Sequence, residues 1–400
     1  MTSKHLLILD LPGGNDTDII QAALERGDIF SFLTSDLSVY EAQPQVWDWV
    51  KQAQHLVEIE NYNEAEIHMF MKALHQFEPI HALLCLVDHR LEVAARLAQA
   101  LGLKFLNPES AQLLGDQFKV RELLQSKGIA QPALALIGRN EERTAEPGAV
   151  ALPTLWGEQQ LQGTVVGCDV FTRDGVHEML GVNEKKFFDS PSFAIQGGCF
   201  IPMHQDLAFL QDYVFAMLDA VGFDWGATHV ELMLTPEGPR LIEINARLVN
   251  AKIPRLMGLA LDESIHSRLI DLHLGVAHHM SSTTQPKVAV TRWVVAHQQG
   301  IFNRVDLPQW QDANVRCVEI LKQPGDAVCV PMENADRIGY VMTTGEARAQ
   351  AEQLAERFVA DCVVNYQHLY LVERPDVQRM HAVVQTTSAL EDEQPRVRYG

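Results

Sequence analysis

The stretch Thr228-His229-Val230-Glu231-Leu232-Met233-Leu234, the turn Thr235-Pro236-Glu237-Gly238-Pro239, and then Arg240-Leu241-Ile242-Glu243-Ile244-Asn245-Ala246-Arg247 decide how this chain is read. Two largely aliphatic runs flank a turn that carries proline and glycine, so the pattern predicts a hairpin. If Leu234 pairs near Arg240, antiparallel pairing sets Glu231 opposite Glu243, with Asn245 two residues along the face of Glu243. Carboxylates opposed across a ladder repel, which a fold tolerates most easily with a cation between them. Two carboxylates and an amide oxygen are hard ligands and point to Mg²⁺. The same alternation also fits a half-exposed hairpin, with Val230, Leu232 and Leu234 inward and the acids facing water. Two features favour a site. Ile242 and Ile244 set Glu243 and Asn245 inside an apolar strand, and Arg247 follows on their face, suited to an anionic group beside the metal.

Composition narrows the class. Four hundred residues allow two or three domains, and a 47% hydrophobic content is enough for substantial cores. The formal charge of -20, from 32 basic and 52 acidic residues, disfavours nucleic acid and anionic membrane surfaces as partners. The six cysteines (Cys85, Cys168, Cys199, Cys317, Cys329 and Cys362) include no C-x-x-C pair, which argues against zinc and a disulfide scaffold. Reduced thiols are the simplest reading, and the expected compartment is the cytoplasm. The first apolar run, His5 to Leu9, is too short for a signal peptide or a membrane span and reads as a buried strand.

A helix from Thr17 to Arg26, closed by Gly27, follows that strand and opens an α/β sheet. Pro12-Gly13-Gly14 lacks the full G-x-G-x-x-G pattern and reads as a tight turn. Ile80 to Val87 reads as a further strand, and Glu92 to Ala100 as a helix ending at Gly102, so residues 1–110 are expected to form one doubly wound domain. Asp116 is a plausible N-cap for a helix from Gln117 to Lys127. Lys119 and Arg121 lie in its first turns, where cations gain nothing from the helix dipole, so either an anionic ligand or plain solvation explains them. Residues 285–375 alternate strands with a helix from Glu346 to Ala360, an α+β lobe, and polar residues 385–400 read as a disordered tail. His229 falls on the face of Glu231 and so is a candidate to border the same cleft.

Glu231 followed by Glu243-Ile244-Asn245-Ala246-Arg247 resembles the metal-binding end of the ATP-grasp carboxylate-amine ligases. Residues 88–102 and 107–132 resemble the family's lead-in. Residues 289–349, including Pro324-Gly325-Asp326 and Arg337-Ile338-Gly339-Tyr340, resemble the C-terminal lobe of its L-amino-acid ligase branch. The resemblance implies an α/β ATP-grasp fold. Its parts would be an N-terminal doubly wound pre-ATP-grasp domain (1–110), an ATP-grasp core (111–284) with a shortened small lobe (about 133–190), and the α+β lobe (285–375). It implies ATP and Mg²⁺ as cofactors and small-molecule carboxylate and amine substrates. Lys119 would contact ATP, and Glu158-Gln159-Gln160-Leu161 resembles the segment that holds the adenine, through Glu158, Gln159 and Leu161. Glu231, Glu243 and Asn245 would hold the metal, and Arg247 would steady an acyl-phosphate intermediate. Relatives often form dimers, so the resemblance allows a homodimer.

The chain departs from this pattern between Pro132 and Gly167, where relatives carry a second phosphate-gripping lysine and a glycine-rich loop. Neither is present here. Lys185, Lys186 and Arg173 are candidate replacements, although Lys185-Lys186 also reads as a solvated turn after a strand. Val249-Asn250 stands where relatives often carry adjacent glycines, which would narrow the acceptor pocket. The expectation is an amino-acid ligase of specialised metabolism, making a dipeptide or a carboxylate siderophore. The alternative is a degenerate ATP-grasp protein that binds nucleotide or metabolite as a non-catalytic partner subunit.

Overall fold

The computed structural model describes residues 3–130, 134–136, 156–158, 163–189, 192, 194–277 and 285–367. Much of the shortened small lobe, the tail 385–400, and the residues Gln159 and Leu161 lie outside them. Among the described residues seventeen strands run in chain order. They are β1 (His5–Leu9), β2 (Ile29–Thr34), β3 (His55–Glu58), β4 (Ala82–Cys85), β5 (Leu134–Leu136), β6 (Trp156–Glu158), β7 (Thr164–Arg173), β8 (Val176–Phe187) and β9 (Ile195–Pro202). Then follow β10 (Trp225–Thr235), β11 (Gly238–Asn245), β12 (Val288–Val294), β13 (Gly300–Asp306), β14 (Val315–Ile320), β15 (Ala327–Val328), β16 (Gly339–Gly345) and β17 (Val363–Gln367).

The first four strands form a parallel sheet in the order β3-β2-β1-β4. Every residue of β1 is buried, because parallel strands with crossover helices are covered on both faces. Leu6 and Ile8 pack into one core and Leu7 and Leu9 into another, on opposite faces of the sheet.

An eight-stranded antiparallel sheet in the order β11-β10-β7-β8-β9-β12-β16-β14 makes the body of the molecule. One face of its first strands is apolar: Val166, Cys168, Val182, Val230, Leu232, Leu241 and Ile244 share a core with the helix Ala208–Ala220 and the helix Gln117–Ser126. The alternate residues of the same strands point to the opposite face, and there the polar groups collect. Asp116 caps the helix Gln117–Ser126 by accepting from the Lys119 amide at 3.2 Å. Arg121 turns inward, 3% exposed, and donates to the carbonyls of Leu241 (3.0 Å) and Ile242 (2.8 Å). Among the described residues no helix is long and apolar enough to cross a membrane.

Candidate active site

The hairpin β10–β11 brings Glu231 opposite Glu243 and His229 opposite Asn245. The expected pairing is reached by an unexpected route. Nearest the turn, Leu234 pairs with Pro239 and Leu232 with Leu241, a register that would set Glu231 against Ile242. A β-bulge between Glu231 and Leu232 takes up Ile242 and shifts the pairing by one residue. Since side chains alternate with period two, that residue sends Glu243 to the polar face and Ile244 to the core. Arg121, on the carbonyls of Leu241 and Ile242, holds the bulge from behind.

Four adjacent strands then line one wall. β8 supplies Asn183 and Lys185, β7 supplies Gly167 and Asp169, β10 supplies His229 and Glu231, and β11 supplies Glu243 and Asn245. Asn183 Nδ2 donates to Asp169 Oδ2 at 2.6 Å, and His229 bridges the Asp169 and Glu231 carboxylates, at 2.9 Å through Nδ1 and 3.4 Å through Nε2. Lys185 Nζ donates to Glu231 Oε1 at 2.8 Å. Gly167 makes the row possible. A Cβ there would come within 2.3 Å of His229 Cε1 and 2.8 Å of Asn183 Oδ1.

This network sets the charges. Burial disfavours a charged His229, but the Asp169 and Glu231 carboxylates outweigh it and raise the imidazole to about 9. It therefore donates from both ring nitrogens. Glu231 in turn is held at about 2, first by the His229 hydrogen bond and then, against desolvation, by Lys185. Glu243 accepts from Gln117 Nε2 at 2.9 Å. The facing acids thus have different neighbours, His229 and Lys185 for Glu231 and Gln117 for Glu243.

Lys185, His229, Glu231, Glu243 and Asn245 line a cavity of about 370 Å³ together with Arg247, Asp88, Val249 and Asn250, with Asp169 and Asn183 behind them. Arg247 donates to Asp88 Oδ2 from Nε at 2.7 Å and lies 2.6 Å from it through Nη2. It also donates to Asn250 Oδ1 at 3.1 Å. Asp88 opens the 3-10 turn Asp88–Arg90 that follows β4, so the N-terminal sheet places one group in the wall. Val249 and Asn250 line the cavity where the sequence led us to expect bulk.

Of the three candidate replacement cations, Lys185 alone lines this cavity. It lies within β8, not in a solvated turn after a strand, and strand alternation aims it at the polar face beside Asn183. Lys186, one residue on, points away and pairs with Glu356 at 3.0 Å. Arg173 caps the carbonyls of Gly275 and Val276 at 2.7 and 2.8 Å. Lys119 is 66% exposed, 3.2 Å from Asp116, and does not line the cavity. Glu158 lies on β6, which pairs only with β5 among the described residues. The sequence reading missed Asp88 and Asp169. Asp169 had a signal, an acid inside the apolar run of β7, whereas nothing in the sequence places Asp88 beside Arg247.

Comparison with known proteins agrees with this architecture. The family model for L-amino acid ligase C-terminal domain 2 matches residues 292–367. Phosphoribosylglycinamide synthetase from Anaerococcus prevotii superposes with a TM-score of 0.74 at 14% identity, covering 91% of this chain and 100% of that one. L-amino acid ligase from Bacillus licheniformis gives 0.72 at 16% identity over 92% and 99%. The biotin carboxylase domain of 2-oxoglutarate carboxylase from Hydrogenobacter thermophilus, in complex with MgADP and bicarbonate, gives 0.63 at 14% identity over 91% of each chain. By sequence, the uncharacterized protein y4rH of Sinorhizobium fredii is 28% identical over 186 residues, 46% of this chain and 39% of that protein, so the match spans about two fifths of its length. The chain has the ATP-grasp fold, and its residues 292–367 match the C-terminal domain 2 of the L-amino acid ligases.

Proposed function

We propose that the protein is an ATP-dependent ligase that joins a small-molecule carboxylate to an amine, in the synthesis of a dipeptide, a siderophore or another specialised metabolite. One observation carries this reading: Glu231 and Glu243 face each other, with Asn245 and Arg247, in a single cleft on an ATP-grasp fold. The donor set fits a hard divalent cation, since it offers only oxygens and Glu231 is held ionised. Glu231, Glu243 and Asn245 would hold Mg²⁺, which when bound with ATP neutralises charge on the phosphates.

The chain's own residues do the rest by position and charge. Asp169 and His229 fix the Glu231 carboxylate from below, and Lys185 adds a positive charge at the cleft wall where phosphate oxygens would lie. Arg247, held by Asp88 and Asn250 until substrate arrives, steadies the carboxylate substrate and the acyl phosphate made from it. The amine then attacks the acyl carbon, the bond to phosphate breaks, and amide, inorganic phosphate and ADP result. No protein nucleophile is required. Lys119, Glu158, Gln159 and Leu161 are proposed ATP contacts on the strength of the family resemblance.

A second reading, a non-catalytic partner subunit, is favoured by the lack of any lysine between Pro132 and Gly167. Substrate-dependent ADP release, screened with pooled amino acids, citrate and small amines, separates the two. Release that disappears in Glu231→Gln supports the ligase. ATP binding without release in any pool supports the partner subunit.

A further inference from the structure

A second cavity, of about 780 Å³, opens beside the cleft. The turn at Pro12 and Gly13 and the side chains of Gln43 and Gln45 form its N-terminal wall, and Glu319, Leu321 and Arg337 its C-terminal wall. It adjoins the cleft along Ala251, Lys252, Trp293 and Arg337, which line both.

The charged groups around this cavity are compensated unequally. Lys252 lies 3.4 Å from Asp18. Glu319 accepts from Arg255 at 3.1 Å and also from the Tyr340 hydroxyl. Arg337 stands apart. Its Nε donates to the Asn334 carbonyl at 2.7 Å and its guanidinium carbon lies 3.7 Å from the centroid of the Trp293 ring. Among the described residues no carboxylate forms an ion pair with it, although acids outnumber bases 52 to 32. Desolvation without a counter-charge lowers it to about 10. A planar cation stacked on an indole, with terminal N–H groups left for a guest, has the form of a carboxylate receptor.

We propose that the second cavity takes the far end of an extended substrate, and that Arg337 binds a carboxylate there, remote from the group that reacts in the cleft. The substrate class is a polyfunctional acid or a short peptide rather than a lone amino acid. Each of the two cavities falls within the roughly 300–1,000 Å³ of pockets that enclose drug-sized ligands, so the pair has room for more than one amino-acid side chain. A monoanion suits the second cavity better than a phosphate dianion, because Asp16 and Glu319 also line it and among the described residues only one cation there is uncompensated. This inference rests on the ligase reading of the cleft.

The test uses the full chain and calorimetric binding of matched probes, with and without Mg²⁺ and a non-hydrolysable ATP analogue. The probes are glutarate, citrate and glycyl-glutamate, each against the amide of one carboxylate. Wild-type protein is expected to prefer at least one acid over its amide by roughly 10- to 100-fold, the range of a charge-assisted hydrogen bond. Arg337→Gln should erase that preference and Arg337→Lys retain part of it. Gln45→Trp, at an exposed position on the far wall, should weaken the acids by crowding the cavity while leaving glycine binding unchanged. Equal affinity for every acid and its amide overturns the inference, as does a preference that survives in folded Arg337→Gln. Acid selectivity that depends on Arg337 in a protein that releases no ADP keeps the compartment and removes the ligase. ADP release without acid selectivity does the reverse.

Discussion

Arg247 and Arg337 line the same cleft and are held in opposite ways. Arg247 is closed off by protein, with Asp88 on two of its nitrogens and Asn250 on a third. Arg337 lies against an aromatic face and meets one backbone carbonyl. An arginine whose charge is matched internally can be released to a substrate only by exchange, whereas one left unmatched is desolvated at a cost that an arriving anion repays. The hairpin wall is therefore built for charges that must stay in place, and the C-terminal wall for a charge that waits.

The sharpest way to break this contrast is at the hairpin. Glu243→Gln is expected to lower the rate of ADP release by about 100-fold or more, the scale of lost electrostatic stabilisation at a phosphoryl-transfer site. An unchanged rate would remove both the metal assignment and the functional distinction between the walls. Gly167→Ala tests the same wall by bulk. With Cβ 2.3 Å from His229 Cε1, the row must shift, and denaturant unfolding should show a loss of about 1–3 kcal/mol together with reduced turnover.

A smaller pair of changes sharpens the comparison of arginines on the C-terminal side. Arg292, 3% exposed, lies 3.3 Å from Glu352 and 3.2 Å from Glu356, and donates to the Thr291 carbonyl at 3.0 Å. Arg292→Met removes a buried cation from the two carboxylates, which keep only the more exposed Arg348 and Lys186, and should lower the melting temperature. Arg337→Met strands no described carboxylate and should leave it unchanged or raised. Equal losses in both would show that Arg337 is compensated after all. The smallest effect on turnover is expected at Asp88. Asp88→Asn loosens the hold on Arg247 and should lower the KM for the carboxylate substrate about threefold, in line with the modest worth of an exposed pair. A raised KM would make Asp88 a brace rather than a competitor.

One expected effect lies on stability alone. His273 is buried, and burial, only partly opposed by the hydrogen bond to the Lys104 carbonyl, lowers it to about 4. The unfolded chain takes up a proton near pH 6.5 that the folded chain refuses until about pH 4, so stability is present above 6.5 and falls as the pH drops through this window. The loss is at most about 3 kcal/mol. His273→Asn should flatten the profile of unfolding free energy between those limits, and an unaltered slope would assign the acid sensitivity to other groups.

Local pattern was enough to read much of the architecture. Aliphatic runs bounded by turn residues marked β1, β4, β10 and β11, and Asp116 marked the start of its helix, because period and cap chemistry are written in neighbouring residues. Glu231, Glu243, Asn245 and Arg247 were legible for the same reason, since a hairpin keeps its partners close in the chain. For Lys185 the sequence left a compensating cation and a solvated turn both open, because a lysine pair looks like a turn, and only the strand's alternation separates Lys185 at the cleft from Lys186 on Glu356.

By itself, then, the sequence determined the hairpin, the acidic pair and the α/β character, all consequences of contacts a few residues apart. Tertiary structure alone decided the bulge at Ile242 that aims Glu243, because its support comes from Arg121, more than one hundred residues earlier. It also decided the pairing of Asp88 with Arg247, 159 residues apart, and the stacking of Arg337 on Trp293 from two different strands' ends. Which charges are matched and which are left open depends on where distant segments meet, and no local period records that.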